Sequence, residues 1–531
     1  MEEALDAAAS ALRAETSLLW RGSGNLGVMQ SVTDLLMDRV GGTLTSGSLC
    51  DSAGQAGVEA GRGVNRHLAP EQIAQTEVVV VWGRNITVTN KHLMPYLEGK
   101  KLIVIDPVRT SIAKQAEIHL QIKPRTDFYL AILLARFSIM EDGEDHAWLE
   151  RFGTEWEEFY EFTREFRIKA ILQHMGLSLD QMGDMLRLIQ THKTVFLVGI
   201  PLQHYTQGHA VTWAIDSLAA TLGLFGREGC GVSYMGNSRQ GFENPFSVNL
   251  PRVPIVTTPF ERFETVIVQG GNPAGSMPDS IGVEAGLKKV QNLIYFGLYE
   301  NETSALSRIV IPAQTFLEKE DIRLSYGHQY VTSMYKATEA TVGISEYDFV
   351  VEVLQRLGQE PIKSEDHYLS AWLDQCGEEK DHGVLPDYDP LPYADGFGEE
   401  GGEEFVFIDE YEDDEEPMAF RRFRKPREES FDGHYWLLTP KSLKALNTQF
   451  VRKAEVHLSA ECGFAEGERV RLRNDQGTLE LTVKLSEDVR PDCALVYGST
   501  PGVNCLTPAL LSEEGEGACY GEAKVQIERV D

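Results

Sequence analysis

The chain has 531 residues, of which 42% are hydrophobic and 24% charged, and its formal net charge is -32 at pH 7. A chain of this length exceeds what a single hydrophobic core accommodates and predicts roughly two to four domains. The acidic balance excludes a general nucleic-acid binder, because such proteins displace counterions with a basic surface. It also disfavours binding to an anionic membrane surface.

Neither a membrane span nor a secretory leader is expected. The sequence has no run of about 18 apolar residues that could cross a bilayer. Its first residues, MEEALDAAASALRAE, are acidic and helix-forming, which does not fit a signal peptide. We therefore predict a cytoplasmic protein with no direct membrane insertion.

The cysteines are scattered along the chain, and none forms a CxxC pair. They stand at positions 50, 230, 376, 462, 493, 505 and 519. A disulfide scaffold is not expected in so large an intracellular chain. The paired spacings of cysteine-ligated zinc and iron–sulfur sites are also missing. We therefore predict no iron–sulfur cluster within this chain.

In chain order, residues 1–130 alternate between helices and strands. A helix over residues 2–14 leads to the strand and glycine-rich turn TSLLWRGSGNLG, a helix in VMQSVTDLLMDRVG, a bend around Cys50 and a helix from Gln55. The strands TEVVVVWGRN and LIVIDPVRT follow, and the same pattern recurs in KTVFLVGIPLQ, ETVIVQGGNPAGSMPD and NLIYFGLYENETSALSRIVIPAQ. Continuous Val/Ile runs bounded by Gly or Pro are typical of parallel strands buried on both faces. The pattern predicts α/β domains whose ligand loops follow the strands.

The second part of the chain differs in composition. Residues 377–432 are acidic in EEGGEEFVFIDEYEDDEEP and then basic in RRFRKPR. We interpret this segment as a partly disordered linker, with a short docked piece at FVFIDE, and keep a partner-docking tail as the alternative. Residues 433–531 alternate apolar and polar residues around an Asn-Asp-Gln-Gly turn, which predicts antiparallel hairpins and a small barrel.

Several loops after predicted strands suit a large phosphorylated cofactor. GSGNLG (residues 22–27), WGRN (82–85) and GGNPAGSMPD (270–279) would let backbone amides approach a diphosphate closely. IDPVRT (105–110) adds an Asp suited to a sugar or base edge and an Arg suited to phosphate. KPRTD (123–127) adds another such pair. Each loop alone is also typical of an ordinary tight turn, but together they indicate more than one nucleotide moiety.

The stretch GGTLTSGSLCDSAGQAG places Cys50 among small residues. Three interpretations compete: a buried structural cysteine, a nucleophile, or a ligand to a soft metal. The nucleophile is disfavoured, because no His stands near Cys50 in the sequence and no cysteine-enzyme signature is present. The other two interpretations stay open on the residues alone.

The motifs form an ordered set: GSGNLG, SGSLCDSAG, VVVVWGRN, LIVIDPVRT, IKPRTD, QHYTQGH, LAATLGLFGREGCG, VQGGNPAGSMPD, LLTPKSLKALNTQF and GACYGEAKVQIE. This set resembles the molybdopterin oxidoreductases of the DMSO reductase family, which bind two molybdopterin guanine dinucleotides around one Mo or W. The resemblance covers most of residues 1–340 and 434–531. No single motif is decisive, but the ordered set is highly specific.

The resemblance implies roles for particular residues. Cys50 would be the protein ligand of the metal, which fits the affinity of a soft thiolate for a metal already bound by dithiolene sulfurs. Asp51, His204, Tyr234 and Arg239 are candidate catalytic residues that would line the substrate funnel. The residues implied in binding the two dinucleotides are Gly22, Gly24, Asn25, Gly83, Arg84, Asn85, Asp106, Arg109, Thr110, Asp127, Gly199, Gln203, His204, Gly271, Asn272, Pro273, Glu302, Thr303, Thr439, Lys441, Asn447 and Asn504.

The resemblance also implies an α/β fold class, with two doubly wound parallel-sheet domains around a cofactor cleft and a C-terminal β-barrel domain. One α/β domain would be discontinuous, from residues 1–45 and 240–376, and residues 46–239 would be the inserted second one. Residues 377–432 would be the acidic linker and 433–531 the molybdopterin-dinucleotide-binding barrel. GSGNLG and GGNPAGSMPD would then be neighbours in space.

The chain also departs from the family pattern. The four-cysteine module that binds a [4Fe-4S] cluster in most members has no counterpart ahead of EEALDAAASAL. A separate iron–sulfur subunit is therefore implied as the electron-transfer partner, unless the start is misassigned or the protein is not a redox enzyme. Arg125 replaces the Gly of the usual Pro-Gly-Thr-Asp motif, and Ser307-Arg308 replaces a common Ala-Asp.

A further departure concerns the substrate. Asp51 follows Cys50 where formate dehydrogenases of the family have His, and Tyr234 stands where they place an Arg, although Arg239 is close by in the sequence. An acid beside the metal would repel a carboxylate substrate unless it is protonated or paired. The pattern therefore argues against formate oxidation.

We therefore predict the catalytic core of a molybdenum or tungsten bis-pterin oxidoreductase. It would perform two-electron redox chemistry on a small substrate and pass electrons to a partner iron–sulfur subunit. The alternative is a non-catalytic G-type structural subunit of respiratory complex I, which shares the fold. A third possibility is an enzyme that hydrates or transfers without net redox. The residues do not identify the substrate.

Overall fold

The computed structural model describes residues 1–379, 382–407, 420, 423, 433–450 and 453–530. Among these residues, the α-helices are α1 (Glu2–Ala11), α2 (Thr33–Val40), α3 (Ser52–Arg62), α4 (Pro70–Gln75), α5 (Ile86–Thr89), α6 (Asp127–Met140), α7 (His146–Phe152), α8 (Trp156–Thr163), α9 (Ile168–Met175), α10 (Leu179–Thr191), α11 (Gly208–Thr221), α12 (Pro273–Ser276), α13 (Ser280–Leu287), α14 (Glu302–Leu306), α15 (Glu346–Leu357) and α16 (Glu365–Leu373). None of these described helices is long and apolar enough to cross a bilayer.

The strands of the described residues are β1 (Ser17–Arg21), β2 (Thr43–Ser46), β3 (Val78–Trp82), β4 (Lys101–Ile105), β5 (Ile118–Leu120), β6 (Gly153–Thr154), β7 (Thr194–Val198), β8 (Gly231–Ser233), β9 (Arg252–Pro254), β10 (Thr265–Gln269), β11 (Asn292–Gly297), β12 (Ile309–Pro312), β13 (Asp321–Arg323), β14 (Tyr330–Met334), β15 (Gly377–Glu379), β16 (His382–Val384), β17 (Phe405–Val406), β18 (Tyr435–Leu438), β19 (Ala445–Leu446), β20 (Gln449–Phe450), β21 (Glu455–Ser459), β22 (Arg469–Arg473), β23 (Thr478–Ser486), β24 (Cys493–Leu495) and β25 (Lys524–Arg529). The 3-10 helices are Val28–Val32, Lys91–Leu97, Ala113–Gln115, Ile200–Gln203, Ile255–Thr257, Phe260–Arg262, Val503–Leu506 and Tyr520–Glu522.

The chain forms two compact units, and neither is continuous in sequence. The first unit consists of Met1–Leu49 and Ser238–Tyr388. The second consists of Cys50–Asn237 and Asp389–Asp531.

The first unit is built on a parallel sheet with the strand order β12-β11-β10-β1-β2-β9. The central strand β1 is apolar and buried, and it pairs with β10 in the register Leu19↔Ile267. Leu19 and Ile267 share a core with Phe349 of α15 and with residues of α1 and α2. The strand order runs outward from β1 in one direction and from β10 in the other. The carboxyl ends of these two strands therefore flank the point where the connections reverse, which is where open α/β sheets bind ligands.

The second unit contains a parallel sheet with the strand order β5-β4-β3-β7-β8. Its strand β3 is buried on both faces, as its continuous Val run predicts. Val78 and Val80 pack into the core that contains α6 and α11, whereas Val79 and Val81 pack against α4 and the 3-10 helix Lys91–Leu97. The connections of this sheet reverse between β3 and β7.

The second unit also contains a closed barrel with the strand order β18-β24-β21-β23-β22-β25. Strands β22 and β23 form an antiparallel hairpin around the Asn-Asp-Gln-Gly turn, in the register Arg473↔Thr478. The inward-facing side chains of Val456, Val470 and Val525 are fully buried. Parallel α/β sheets and a C-terminal barrel confirm the predicted fold class.

The segment predicted as a linker, residues 377–432, is described only in part. Residues 380–381, 408–419, 421–422 and 424–432 lie outside the described residues, and with them part of the predicted docked piece FVFIDE. In the described part, Phe405 and Phe407 are fully buried in the core of the second unit, and β17 pairs with β6. Trp213 Nε1 donates to the Val406 carbonyl at 2.7 Å. These aromatic side chains bury enough apolar surface to hold this stretch on the second unit.

Glu365 at the start of α16 is expected to make stability depend on pH. Burial raises the pKa of its carboxyl to about 7, and the neighbouring Asp348, Glu320, Asp366 and Asp321 add to the effect. The folded protein therefore binds more protons than the unfolded chain between about pH 4.5 and 7, so that stability falls as pH rises through this window. Glu365→Gln should raise the urea midpoint at pH 8 and leave it unchanged near pH 4.

The control for this prediction is the same replacement at the exposed Glu360 of the same unit. Urea midpoints of the three proteins would be measured at pH 4, 6 and 8. The prediction would be contradicted if the urea midpoints of Glu365→Gln and the unchanged protein differed by the same amount at all three pH values.

Candidate functional site

In the first unit, two glycine-bearing loops meet where the sheet connections reverse. They follow β1 and β10. A Cβ on Gly22 would lie 2.5 Å from the carbonyl oxygen of Gly270, and a Cβ on Gly271 would lie 2.3 Å from the Trp20 ring. Contacts this close require glycine and bring two backbones together at the sheet edge where open α/β sheets commonly bind ligands. The predicted proximity of GSGNLG and GGNPAGSMPD is confirmed.

The loop of residues 22–27 is also shaped from within. Gly24 has φ +53°, a conformation that favours glycine. Asn25 Oδ1 accepts a hydrogen bond from the Gly27 N–H at 3.1 Å. Behind the loop, Trp20 is 2% exposed, and its indole N–H has no acceptor within the described residues. A buried donor without an acceptor fits a site that a ligand completes.

Three predicted cofactor residues of the first unit contact one another. Asn272 Nδ2 donates to Glu302 Oε2 at 2.8 Å, and Asn272 Oδ1 accepts from Thr303 Oγ1 at 2.8 Å. The Thr303 hydroxyl also accepts from the Ala274 N–H at 3.1 Å, next to Pro273 at the start of α12. This network ties the loop after β10 to the first turn of α14.

Arg239 is the candidate catalytic residue of the first unit. Its guanidinium donates to Ser31 Oγ at 2.6 Å and lies 5.6 Å from the centroid of the Trp372 ring. Burial and the nearby Arg21 lower its pKa. The other candidate catalytic residues belong to the second unit.

The second unit repeats the glycine contact of the first. Gly83 follows β3 and Gly199 follows β7, and a Cβ on Gly199 would lie 2.0 Å from the Gly83 carbonyl oxygen. Arg84 is buried, and its Nε donates to Asn90 Oδ1 at 3.0 Å. Asn85 Oδ1 accepts a hydrogen bond from a threonine hydroxyl in α5. Both parallel sheets thus place apposed glycines at the point where their connections reverse.

Asp106 and Asp127 are two predicted cofactor residues of the second unit with perturbed acidity. Burial raises the pKa of Asp106 to about 7, the Val108 N–H opposes this shift and Asp127 increases it. Burial also raises the pKa of Asp127 to about 6, although Trp82 Nε1 donates to its Oδ1 at 2.8 Å. The raised pKa values mean that the protein alone stabilises the ionised form of these two carboxyls poorly. A ligand with N–H donors would stabilise that form.

Arg109 and Thr110 follow Asp106 in a turn that the barrel supports. The Arg109 N–H donates to the Asp488 carbonyl at 2.7 Å. Val108 forms an antiparallel bridge with Val489. The loop after β4 is therefore fixed by the connection between β23 and β24.

Arg125, which stands where the family pattern has glycine, has a backbone conformation that favours glycine. Its φ is +67°, a left-handed conformation that costs about 1 kcal/mol in a residue with a Cβ. Its Nη2 donates to Glu522 Oε1 at 3.0 Å, and the guanidinium lies 5.4 Å from the Tyr205 ring centroid. Glu522 Oε1 also accepts from the Thr206 N–H at 3.1 Å. Arg125 thus occupies a left-handed turn and forms an ion pair with Glu522, next to the first residues of β25.

Cys50 lies in the loop before α3, and side chains hold the backbone of this loop. Gln203 Nε2 donates to the Cys50 carbonyl at 2.5 Å, and His204 Nε2 donates to the same oxygen at 3.0 Å. Tyr234 Oη donates to the Asp51 carbonyl at 3.1 Å. Tyr234 is only 1% exposed, so its hydroxyl supports the loop instead of facing solvent.

The surroundings of Cys50 keep its thiol protonated when no metal is bound. Although solvent reaches the residue, protein makes up most of its surroundings, and this burial raises its pKa to about 12. Asp51 adds to the shift and Lys441 opposes it. Burial lowers the pKa of His204 to about 4, so its imidazole is neutral at pH 7. A metal that coordinates the thiol would displace its proton.

The barrel contributes residues to the surroundings of Cys50. Lys441 Nζ donates to Asn447 Oδ1 at 2.5 Å, and burial lowers the Lys441 pKa while Cys50 raises it. The Tyr520 ring lies 5.4 Å from the His204 ring in an edge-on arrangement. Burial and Cys50 both raise the pKa of Tyr520. Tyr520 was not among the predicted site residues, although it lies within the motif GACYGEAKVQIE.

A glycine-rich loop of the barrel contacts the segment after Cys50. A Cβ on Gly515 would lie 2.3 Å from the Ser52 carbonyl oxygen. The Gly521 N–H donates to the His204 carbonyl at 2.8 Å. Two other predicted cofactor residues also belong to the C-terminal part of the chain. Thr439 follows β18, and Asn504 is buried in the 3-10 helix Val503–Leu506.

Close packing of α3 on α11 is expected to be sensitive to a single methyl group. A Cβ on Gly57 would lie 1.9 Å from the His209 carbonyl and 2.3 Å from Thr212 Oγ1. Gly57→Ala should lower the free energy of unfolding by about 1–3 kcal/mol, because α3 must move away from α11. Urea denaturation would measure the change.

Gly183 in the middle of α10 is the matched control, because nothing lies within 4 Å of its Cβ position. Gly183→Ala should stabilise the protein by up to about 1 kcal/mol through helix propensity. Equal effects of the two replacements would contradict the packing argument.

The chemistry of these residues fits a cofactor that carries its own metal ligands. Within the described ranges, no three His, Cys, Asp or Glu side chains form a group that could hold a metal ion. One thiol, that of Cys50, lies beside neutral His204. In the same unit as Cys50, a Cβ on Gly199 would lie 2.0 Å from the Gly83 carbonyl oxygen, so the loops after β3 and β7 meet through backbone at this position. A cofactor that brings its own sulfur ligands for a metal fits this donor set.

Comparison with known proteins agrees with this chemistry. The model of the molybdopterin oxidoreductase family matches residues 2–344. The chain is 25% identical over 590 residues to the probable oxidoreductase YoaE of Bacillus subtilis (strain 168), which covers 97% of this chain and 84% of YoaE. It is 23% identical over 596 residues to the probable oxidoreductase YyaE of the same organism, covering 99% and 88% of the two chains.

The fold also matches a solved structure, that of acetylene hydratase from Pelobacter acetylenicus. The TM-score is 0.75 at 14% sequence identity, and the match covers 100% of this chain and 89% of that one. At this identity the match shows the fold alone.

The fold and the family match together define the class of this protein. The chain belongs to the molybdopterin oxidoreductase family, as the resemblance to the DMSO reductase family predicts. It is a molybdopterin-dependent oxidoreductase, and membership of the family implies a molybdopterin cofactor.

Proposed function

We propose that this protein is the catalytic core of a molybdenum or tungsten enzyme with two molybdopterin guanine dinucleotides. It would perform two-electron redox chemistry on a small substrate. The observation that carries the proposal is the Cys50 loop, whose carbonyl is fixed by Gln203 and His204, in a chain whose two sheets each present apposed glycines. When bound, the metal supplies the change of oxidation state that drives the redox step.

Two sets of residues would each hold one dinucleotide. The loop after β1 and the Asn272–Glu302–Thr303 network belong to the first unit, and the loops after β3, β4 and β7 belong to the second. Backbone amides at these sheet edges suit the diphosphates. Burial raises the pKa of the Asp106 and Asp127 carboxyls. The N–H donors of a guanine base would stabilise the ionised carboxylates and so lower the pKa of each again. Both residues therefore suit the donor edge of guanine.

The residues around Cys50 would control the metal site. The Cys50 sulfur would be its single protein ligand, and Lys441 would offset part of the negative charge of the thiolate. Neutral His204 would keep its N–H on the Cys50 carbonyl and so leave no imidazolium beside the metal. Asp51 places a carboxyl group next to the ligand, which disfavours formate and other carboxylate substrates. Tyr520 joins the candidate catalytic residues because its ring packs on His204.

We further propose that electrons leave the pterins through a partner iron–sulfur subunit and that the protein acts in the cytoplasm. Support for the partner comes from the sequence, whose cysteines lack the spacing of a cluster-binding module.

Metal and nucleotide analysis of the protein tests the proposal. The protein would be purified anaerobically from a host supplied with molybdate and tungstate. We expect about one Mo or W and about two GMP equivalents released by acid for each chain, the content of a bis-pterin site. A well-folded protein with neither metal nor GMP would contradict the proposal and favour the complex I-type structural subunit.

A further inference from the structure

The backbone at Cys50 is held more firmly than an ordinary loop. Its carbonyl oxygen accepts two side-chain hydrogen bonds, from Gln203 Nε2 at 2.5 Å and from His204 Nε2 at 3.0 Å. The two donors are neighbours in sequence and lie at the end of the 3-10 helix Ile200–Gln203, which follows β7. Both lone pairs of the Cys50 carbonyl therefore accept hydrogen bonds from residues in the connection that follows the sheet strand β7.

Gln203 makes a second contact with the same loop. Its Oε1 accepts from the Gly54 N–H at 3.0 Å. Gly54 lies in the first turn of α3, so its N–H is one of those that a helix leaves without an intrahelical acceptor. One side-chain amide thus spans from the carbonyl before α3 to an N–H inside it.

Burial shows that the Gln203 amide faces protein. Gln203 is 1% exposed. A Cβ on Gly54 would lie 3.0 Å from Gln203 Cγ, and a Cβ on Gly208 would lie 1.9 Å from the Gln203 carbonyl. The Gln203 side chain is therefore packed against the start of α3, its backbone lies against the start of α11, and its amide donates and accepts within the protein.

We propose that Gln203 is a positioning residue that fixes the metal-ligand loop before any metal arrives, instead of a residue that contacts the pterin. Fixing the Cys50 carbonyl on one side and the Gly54 N–H on the other sets the peptide plane that directs the Cys50 side chain. The loop is then preorganised in the metal-free protein, which lowers the ordering cost of coordination. The inference rests on the proposed function only for the identity of the ligand.

Two replacements separate the contacts of Gln203. Gln203→Glu keeps an oxygen for the Gly54 N–H but loses the donor to Cys50. Gln203→Met keeps the length of the side chain and loses both contacts. Gln190→Glu is the matched control, because Gln190 Nε2 also donates to a protein oxygen, Ser138 Oγ at 3.1 Å, on other helices of the second unit.

The primary measurement uses metal-free protein from a host that cannot make the pterin. Hydrogen exchange of the peptide covering residues 47–58 and alkylation of Cys50 by N-ethylmaleimide, followed by mass spectrometry, report the order of the loop. We expect exchange in this peptide to rise about tenfold or more in both Gln203 variants and to stay unchanged in Gln190→Glu. Cys50 alkylation should rise in parallel. Metal content in a pterin-producing host should fall about 10–100-fold in the Gln203 variants, the range seen when residues that orient a metal ligand are lost.

The outcomes separate this inference from the proposed function. Unchanged exchange and alkylation in both metal-free Gln203 variants would overturn the positioning role. If the same variants, made in the pterin-producing host, also lost GMP, Gln203 would be a cofactor contact instead. If exchange rises in the variants while the unchanged protein holds neither metal nor GMP, the positioning role stands and the proposed function fails.

Discussion

Cys50→Ala is expected to reduce turnover at least about 100-fold, because it removes the proposed protein ligand of the metal, and loss of residues that merely orient such a ligand typically costs 10–100-fold. The Cys50 carbonyl accepts hydrogen bonds from Gln203 and His204, and the Asp51 carbonyl accepts one from Tyr234. Alanine keeps all of these backbone contacts and deletes only the sulfur. The assay is oxidation of reduced methyl viologen with a panel of sulfoxides, N-oxides and nitrate, together with the Mo or W content of each protein.

Cys462→Ala is the control for this replacement. Cys462 is half-buried at the edge of the barrel core and belongs to no predicted site. It should retain both turnover and metal. Full activity in Cys50→Ala would contradict the assignment of Cys50 as the ligand. Loss of activity in both variants would point to general damage instead.

Asp216→Ala is expected to lower the free energy of unfolding by about 3–5 kcal/mol, because it leaves a buried guanidinium without its partner. Arg62 at the end of α3 and Asp216 in α11 are both buried, and Arg62 Nε donates to Asp216 Oδ2 at 2.7 Å. A second hydrogen bond joins Arg62 Nη2 to Asp216 Oδ1. Burial alone would lower the pKa of Arg62, but Asp216 and Tyr393 together more than offset this and raise it. Urea denaturation would measure the loss.

A double variant distinguishes an unpaired charge from a lost contact. In Arg62→Met/Asp216→Leu neither charge is present, and replacing a buried ion pair by apolar residues is often neutral or stabilising. This variant should therefore recover most of the stability that Asp216→Ala loses. Asp184→Ala is the surface control, because Asp184 and its partner Arg187 are exposed, and it should cost less than about 1 kcal/mol. An effect of Asp216→Ala as small as this would contradict the prediction.

Sequence patterns were sufficient for the sheets and the barrel because hydrophobic periodicity depends on neighbouring residues. The Val run of β3 and the alternation in β22 and β23 both appear where they were expected. Local detail was less predictable. The helix expected in VMQSVTDLLMDRVG begins as the 3-10 helix Val28–Val32, where Asp321 accepts from the Met29 N–H at 3.0 Å. That contact joins residues far apart in the sequence, which no local pattern reports.

The candidate site shows the same limit. The small residues around Cys50 marked the loop, but the roles of its neighbours depend on tertiary contacts. Gln203 is turned inward and holds backbone, and Tyr234 is buried beneath the loop. Tyr520 comes from the barrel and could be placed near His204 only once the fold was known. Residue types gave candidates, and long-range packing decided which way each side chain faces.

The loop of residues 515–521 contacts the segment that follows Cys50, and this contact has a consequence for how the protein folds. Gly515 packs on the Ser52 carbonyl, and Gly521 donates to the His204 carbonyl. The surroundings of Cys50 are therefore assembled from the beginning, the middle and the last part of the polypeptide. A nascent chain lacks this contact until residues 515–521 have been synthesised and folded onto the earlier segments. The surroundings of Cys50 therefore depend on contacts of long sequence separation, which form late in folding.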